Sequence, residues 1–245
     1  MKITNKNNFI VTSDKSGIVK VSALGFNNEI KERGSSSASS GDSIRSFAFS
    51  QNEKKMVTAH EDKSIKLWDF NSLEVERKLE GHGSDVVTID WHPSKALIVS
   101  GGKDRLVKFW DPLTGKNICN LFNHTNTINK IKFNKNENFL VSSGKDQLVR
   151  VFDIRVMKEC MVLKGHNTEV TDIDWHPIYE NHLVSADAES RICYWVLPFS
   201  TPVSVQIHQK GFGVVRSAFD PYGLFVCSVA NDRQMKLWDV AEQDV

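Results

Sequence analysis

Hydrophobic and polar positions alternate along most of the chain, in short runs separated by polar turns. Phe47 and Phe49 mark one run, Met56, Val57 and Ala59 a second, Ile65, Leu67 and Trp68 a third, and Leu73 to Leu79 a fourth. The order then repeats, with Val87, Ile89 and Trp91, with Leu97 to Val99, and with Val107 and Phe109. A period of two sends successive side chains to opposite faces of an extended strand, so the pattern predicts an all-β chain, and no stretch reads as a helix. From Asn8, NFIVTSDKSGIVKVS reads as two strands around a polar turn with no first strand before them. GSSSASSG, from Gly34 to Gly41, has too little apolar surface to order itself and is expected to be a mobile loop.

Longer-range order comes from a repeat. Trp68, Trp110, Phe152, Trp195 and Trp238 fall 42, 42, 43 and 43 residues apart, and His82, His124, His166 and His208 are each 42 apart. Asp62, Asp104, Asp146 and Asp232 lie six residues before the aromatic slot, and Thr58, Ser100, Ser142 and Ser228 four before the Asp. In the fifth repeat Ser185 and Trp195 keep their slots, Glu189 stands where Asp is expected, and Asp187 competes for that role. In the folded unit, His donates to the turn Asp, and the hydroxyl links the other imidazole nitrogen to the indole N–H, each polar group satisfying its neighbour. The expected tetrads are His82, Ser100, Asp104 and Trp110; His124, Ser142 and Asp146 with Phe152; His166, Ser185 and Trp195; and His208, Ser228, Asp232 and Trp238. A Ser-His-Asp set also invites a catalytic reading with Ser100 as nucleophile. Its recurrence in every unit, with no oxyanion-hole motif, favours architecture, so no catalytic residue is assigned.

A period in the low forties that opens on Gly-His and closes on Trp-Asp resembles the WD-repeat β-propeller. That resemblance implies one domain over residues 1–245: an incomplete first blade at 1–33, the serine loop at 34–41, and repeats at 42–80, 81–122, 123–164, 165–207 and 208–245. Ser22 in the Trp slot and Ser16 in the Asp slot leave the first unit without the usual lock, and the last repeat ends before an outer strand. About six partial or complete blades result. They form either an irregular six-bladed ring or, as preferred here, part of a seven-bladed one.

With 31 basic and 30 acidic residues the chain has no global field of the kind that drives nonspecific nucleic-acid binding. Cys119, Cys160, Cys193 and Cys227 form no CxxC pair and are expected to be small fillers on or beside strands in a reducing compartment, with no metal site. No apolar run reaches membrane-spanning length and no secretory leader is recognised, so a soluble intracellular protein without membrane association is expected.

Several motifs are more specific. KSIKLWDFNSLEVERKLEGHGSDVVTIDWHP, VKFWDPLTGK and LVRVFDIRVMKECMVLKGHNTEVTDIDWHP resemble the WD-repeat subunit of the eukaryotic cleavage and polyadenylation factor, over nearly the whole chain. The resemblance implies a nuclear, nonenzymatic, seven-bladed scaffold that works with other subunits of that factor, and with pre-mRNA as a candidate ligand. No cofactor or small-molecule substrate is implied. The family's basic and aromatic N-terminal segment has no counterpart here, so no residue that reads the AAUAAA signal is carried over.

Lys63, Lys103, Arg105, Lys145, Arg191 and Arg233 are placed in turns near the tetrad histidines, where a ring of cations would suit an RNA backbone or an acidic peptide. Solvated turns tolerate Lys and Arg freely, and no exposed aromatics are interleaved. Trp91 and Trp175 alternate with Ile89 and Ile173 and are read as packing residues. Phe152-Asp153-Ile154-Arg155 is similar to the WDxR box of substrate receptors of cullin ubiquitin ligases, in which Arg155 would meet the adaptor. That receptor and a generic WD interaction scaffold are the alternatives.

Overall fold

Runs rich in Val, Ile, Phe and Trp between Asp, Asn, Ser and Gly turns become β-strands in the computed structural model, which describes residues 2–3, 9–14, 16–24, 30–37 and 43–240. No helix occurs among the described residues. Among the described residues the strands form six antiparallel sheets, each built from consecutive segments. The first holds β1 (Lys2–Ile3), β2 (Phe9–Ser13), β3 (Ile18–Leu24) and β4 (Ile30–Ser37), and the second β5 (Ile44–Phe49), β6 (Lys55–His60), β7 (Ile65–Asp69) and β8 (Glu74–Leu79). β9 (Val86–Trp91), β10 (Ile98–Gly102), β11 (Val107–Trp110) and β12 (Asn117–Leu121) make the third. β13 (Ile128–Phe133), β14 (Phe139–Gly144), β15 (Val149–Asp153) and β16 (Lys158–Leu163) make the fourth. The fifth contains β17 (Val170–Trp175), β18 (His182–Asp187), β19 (Arg191–Val196) and β20 (Ser204–Ile207). The sixth contains β21 (Val214–Phe219), β22 (Phe225–Ala230) and β23 (Met235–Asp239).

Two expectations are corrected at the start of the chain. A first strand does precede Asn8: β1 pairs with β2, Lys2 opposite Val11 and Ile3 opposite Ile10. The serine segment is in part a strand, because Gly34 to Ser37 continue β4 and pair with β3. Backbone pairing supplies the order that the small side chains could not. The rest of that segment, positions 38–41, and the last five positions, 241–245, lie outside the described residues.

The chain divides into two compact units, residues 1–104 with 108–120 and residues 105–107 with 121–245. In the first unit, Val11, Val19 and Val21 pack against Phe47, Met56, Trp68 and Phe70, and a second cluster joins Val57, Ile65 and Leu67 to Val86, Ile89, Trp91 and Trp110. In the second, Val141, Val149 and Val151 meet Val170, Ile173 and Trp175, while Val184, Ile192 and Tyr194 meet Val214 and Val226. Each of these clusters lies between neighbouring sheets of one unit, so within each unit the core is sandwiched between successive repeats.

Polar groups stitch the first strands of the second unit together. Asn129 Nδ2 donates to the Val170 carbonyl at 2.8 Å and Thr171 Oγ1 to the Val214 carbonyl at 2.6 Å. The Ser217 and Phe219 amides donate to Asp172 and Asp174 at 3.1 Å each, and those carboxylates pair with Lys130 and Lys132. Buried carboxylates are tolerated here because each is both hydrogen-bonded and charge-paired.

Of the cysteines, Cys193 is buried as a filler, and burial together with the nearby Asp187 charge pushes its thiol up to about 12. Cys160 departs from expectation by being exposed.

Candidate functional site: the tetrads and the turns beside them

In each of β5, β9, β13, β17 and β21 the pairing slips by one residue near the start of the strand. In the third repeat the slip falls between Gly101 and Gly102, and a Cβ on Gly102 would lie 2.3 Å from the Asp85 carbonyl oxygen. Only glycine lets the two backbones approach so closely there. In the third to sixth repeats the slip lies beside the loop that carries His.

His82 Nδ1 lies 2.7 Å from Asp104 Oδ2, His82 Nε2 lies 2.6 Å from Ser100 Oγ, and Trp110 Nε1 donates to the same Ser100 oxygen at 2.8 Å. A carboxylate only accepts, so Nδ1 carries the proton, Nε2 accepts, and the Ser100 hydroxyl donates to it while accepting from the indole. The fifth repeat has the same geometry: His166 is 2.9 Å from Asp187 and 2.6 Å from Ser185, and Trp195 donates to Ser185 at 2.8 Å. Asp187 therefore holds the acidic position, and Glu189 is exposed. Burial alone would raise the Asp187 carboxyl, but the His166 hydrogen bond and the Arg191 amide hold it below its ordinary value. Asp187 Oδ1 also accepts the Glu189 and Arg191 amides at 3.0 and 2.9 Å. Asp14 Oδ1 does the same for the Ser16 and Ile18 amides at 2.9 Å each. The first and fifth turns thus share one register, two residues earlier than the others.

In the fourth repeat His124 lies 2.9 Å from Asp146 and 2.6 Å from Ser142, with the fully buried Phe152 in the indole position. Asp146 is likewise raised by burial and brought below its ordinary value by the His124 bond. The sixth repeat is looser. Trp238 still donates to Ser228 at 2.8 Å, but His208 Nδ1 is 3.3 Å from Asp232 Oδ2, and neither His208 ring nitrogen makes a hydrogen bond of good geometry among the described residues.

The second repeat lacks the Gly-His loop and fills the position otherwise. His60, on β6, sets its Nε2 2.7 Å from Thr58 Oγ1, which accepts from Trp68 Nε1 at 2.7 Å. Sequence spacing missed His60 because it sits in the strand two residues after the hydroxyl rather than 18 before it. The histidines of the two His-Pro pairs were missed as well. His92 Nδ1 accepts the Ser94 and Lys95 amides at 3.3 and 3.0 Å, and His176 Nδ1 accepts those of Ile178 and Tyr179 at 3.1 and 2.9 Å. The repetition of His-Pro 84 residues apart was the available signal.

Ser100, Ser142 and Ser185 are fully buried, with both the hydroxyl proton and an oxygen lone pair committed wherever the indole is present. Such an oxygen presents no nucleophile to solvent, and its role is to tie the strand to the loop.

The cations divide into two groups. Lys103 pairs with Asp85 at 2.6 Å, Lys145 with Glu169 at 3.1 Å, and Arg191 Nη1 donates to the Gly165 carbonyl at 2.9 Å. These three brace the His-bearing loops. Lys63, Arg105 and Arg233 are exposed and have φ values of 69°, 68° and 65°, a left-handed conformation that favours glycine. Arg155 is exposed and gripped by Asp153, Nε to Oδ1 at 3.0 Å and Nη2 to Oδ2 at 2.6 Å. Trp91 and Trp175 are buried, and Trp175 Nε1 donates to the Lys132 carbonyl at 3.1 Å.

Antiparallel sheets from consecutive segments, with the full indole, hydroxyl, imidazole and carboxylate set in the third and fifth repeats and partial versions in the others, define a repeat protein of the WD class. The WD domain, G-beta repeat model matches residues 32–69, 73–111, 115–153, 157–195 and 201–239, and the chain belongs to that family. Each match begins one strand before a sheet does, so the sequence repeat straddles two sheets; residues 32–69 take in part of β4 together with β5 to β7.

Among individual proteins, the chain is similar to "Polyadenylation factor subunit 2" of Candida albicans, 33% identical over 32% of this chain. It is also similar to the protein of the same name in Neurospora crassa, 40% identical over 39% of this chain. A third relative, "General transcriptional corepressor TUP1" of Saccharomyces cerevisiae, is 39% identical over 23% of this chain. The matched stretches span only 14%, 14% and 8% of those relatives' lengths.

Proposed function

We propose that the chain is a nonenzymatic scaffold of pre-mRNA 3′-end cleavage and polyadenylation, acting in the nucleus and holding other subunits of the cleavage and polyadenylation factor. The observation that carries this reading is the likeness to two proteins named as polyadenylation factor subunits, one of them 40% identical over 39% of the chain. The enclosed tetrads support it, because they place the polar chemistry of the repeat inside the frame and leave the turns and rims for contact. Lys63, Arg105 and Arg233 support a role in holding pre-mRNA or an acidic partner segment. Each carries a long cation at a backbone position where glycine would be easier, and exposed cations suit phosphate.

We further infer that another sheet of the same kind covers the sixth. Val57, Ala59, Ile65 and Leu67 of the second sheet, and Val184, Ala186, Ile192 and Tyr194 of the fifth, are buried beneath the first strand of the sheet that follows. Their counterparts Val229, Met235 and Leu237 are 41%, 67% and 65% exposed.

Affinity purification of the chain tagged in its own cells, followed by mass spectrometry, tests the assignment. Recovery of polyadenylation subunits supports it. A cullin adaptor recovered in their place, and lost with Arg155→Ala, overturns it in favour of the ligase receptor, although the grip of Asp153 on Arg155 weighs toward an internal role.

A further inference from the structure

Between the fourth and fifth sheets, on the side away from the tetrads, a cleft of about 380 Å³ is lined by Phe139, Val151, Met161 and Leu197, with Cys160, Asn181, Pro198 and Glu180 at its borders. Phe199, next in sequence to Pro198, is 60% exposed. An open cleft lined mainly by apolar side chains with a few polar groups at its edge is the usual form of a binding surface.

The same wedge in the first unit is closed. Two repeats earlier in sequence, the counterparts of Phe139, Cys160 and Met161 are Lys55, Glu76 and Arg77. There Lys55 pairs with Glu76 at 2.6 Å, and Arg77 lies across Gly115 so closely that a Cβ on that glycine would meet Arg77 Cδ at 2.7 Å. The repeat thus fills this wedge with its own charged side chains in one place, and in the other replaces them with Phe, Cys and Met and leaves it open.

Two features say what would enter. β16 is the outer strand of its sheet, so an extended segment laid along it can add backbone hydrogen bonds beside the cleft. Glu180 is exposed, and its carboxylate makes no ion pair among the described residues. We propose that the cleft binds an extended partner peptide in which a bulky apolar side chain, aromatic or Leu/Met, is followed by Lys or Arg. The apolar side chain fills the space between Met161 and Leu197, and the cation meets Glu180. This proposal is independent of the polyadenylation assignment.

The test uses the full chain with 13C-labelled Met and Leu methyl groups, titrated with the blocked dipeptides acetyl-Phe-Lys-amide, acetyl-Phe-Glu-amide and acetyl-Ala-Lys-amide. The expected result is a saturable shift of the Met161 and Leu197 methyl signals with the Phe-Lys probe, at least fivefold weaker with either of the others. Met161→Arg, which installs the side chain of the closed wedge, should abolish the Leu197 shift while the remaining methyl signals stay in place. Glu180→Gln should bring the Phe-Lys probe down toward the Phe-Glu one. Absence of any shift at these two methyls, or equal response to all three probes, overturns the proposal. So does self-association through the cleft, seen as a dimer in sedimentation that Met161→Arg dissolves.

Discussion

His60 and Thr58 sit on one strand with the imidazole Nε2 2.7 Å from the hydroxyl, and Trp68 donates to that hydroxyl from the neighbouring strand. Side chains two apart on a strand share a face, so the second repeat rebuilds from within the strand what the others obtain from a loop. Thr58→Val keeps the shape and removes the oxygen, leaving the buried Trp68 N–H without an acceptor. A loss of about 1–3 kcal/mol in urea unfolding is expected, together with faster hydrogen exchange at the Trp68 indole.

The hydroxyls of the third and fourth repeats should differ in worth. Ser100→Ala strands both the Trp110 N–H and the His82 acceptor, whereas Ser142→Ala strands only the His124 acceptor, because Phe152 has no donor. The first variant is expected to lose about 1 kcal/mol more than the second, measured by chemical denaturation of both in one buffer.

In the fifth repeat the acid at the turn is Asp187. Its folded-state pKa is below its unfolded value of about 3.9, so its contribution is complete above that pH and is lost as pH falls through the folded value. Stability measured between pH 6 and pH 2.5 should fall more steeply below pH 4 for the parent than for Asp187→Asn. Glu189→Gln, at an exposed position, should track the parent within about 0.5 kcal/mol.

Two glycines with left-handed backbones separate strain from crowding. Gly211, at φ 88°, has nothing within 4 Å of an added Cβ, whereas at Gly223, φ 74°, the Cβ would lie 2.2 Å from the His176 ring. Gly211→Ala should cost about 1–2 kcal/mol. Gly223→Ala should cost clearly more, because it also displaces His176 from the Gly223 carbonyl, 3.1 Å from its Nε2, and from the two amides it accepts.

Arg105→Gly relieves a left-handed φ of 68° and should raise stability by about 0.4–1 kcal/mol. If the cation serves binding, the same variant should weaken retention of the chain on single-stranded RNA or on its partner complex. Electrophoretic mobility shift and thermal denaturation of one preparation read both effects.

Much of this fold could be read before any coordinates, since a period of 42 or 43 residues carried by several residue types leaves little freedom in strand order. In the third repeat spacing located the bonded set, His82, Ser100, Asp104 and Trp110, whereas in the sixth His208 and Asp232 keep their slots without closing the bond. Spacing failed where another position could satisfy the same hydrogen bond. Asp187 serves in place of Glu189, Asp14 caps a turn in place of Ser16, and His60 comes from a strand, because the bond constrains where atoms lie and not their index in the chain. Gly34 to Ser37 became strand for a related reason: backbone pairing with β3 is indifferent to their side chains. The open wedge by Met161 was invisible because it depends on what is missing from between two sheets.

The packing of sheet upon sheet in the second unit is head-to-tail, since the surface that receives differs from the surface that is received. A contact of that kind is not self-complementary, and it continues from sheet to sheet until the rotation closes a ring. With Met235 and Leu237 uncovered on the sixth sheet, the chain keeps one receiving face unfilled, so whatever next sheet docks there removes water from an apolar surface that the chain alone leaves wet.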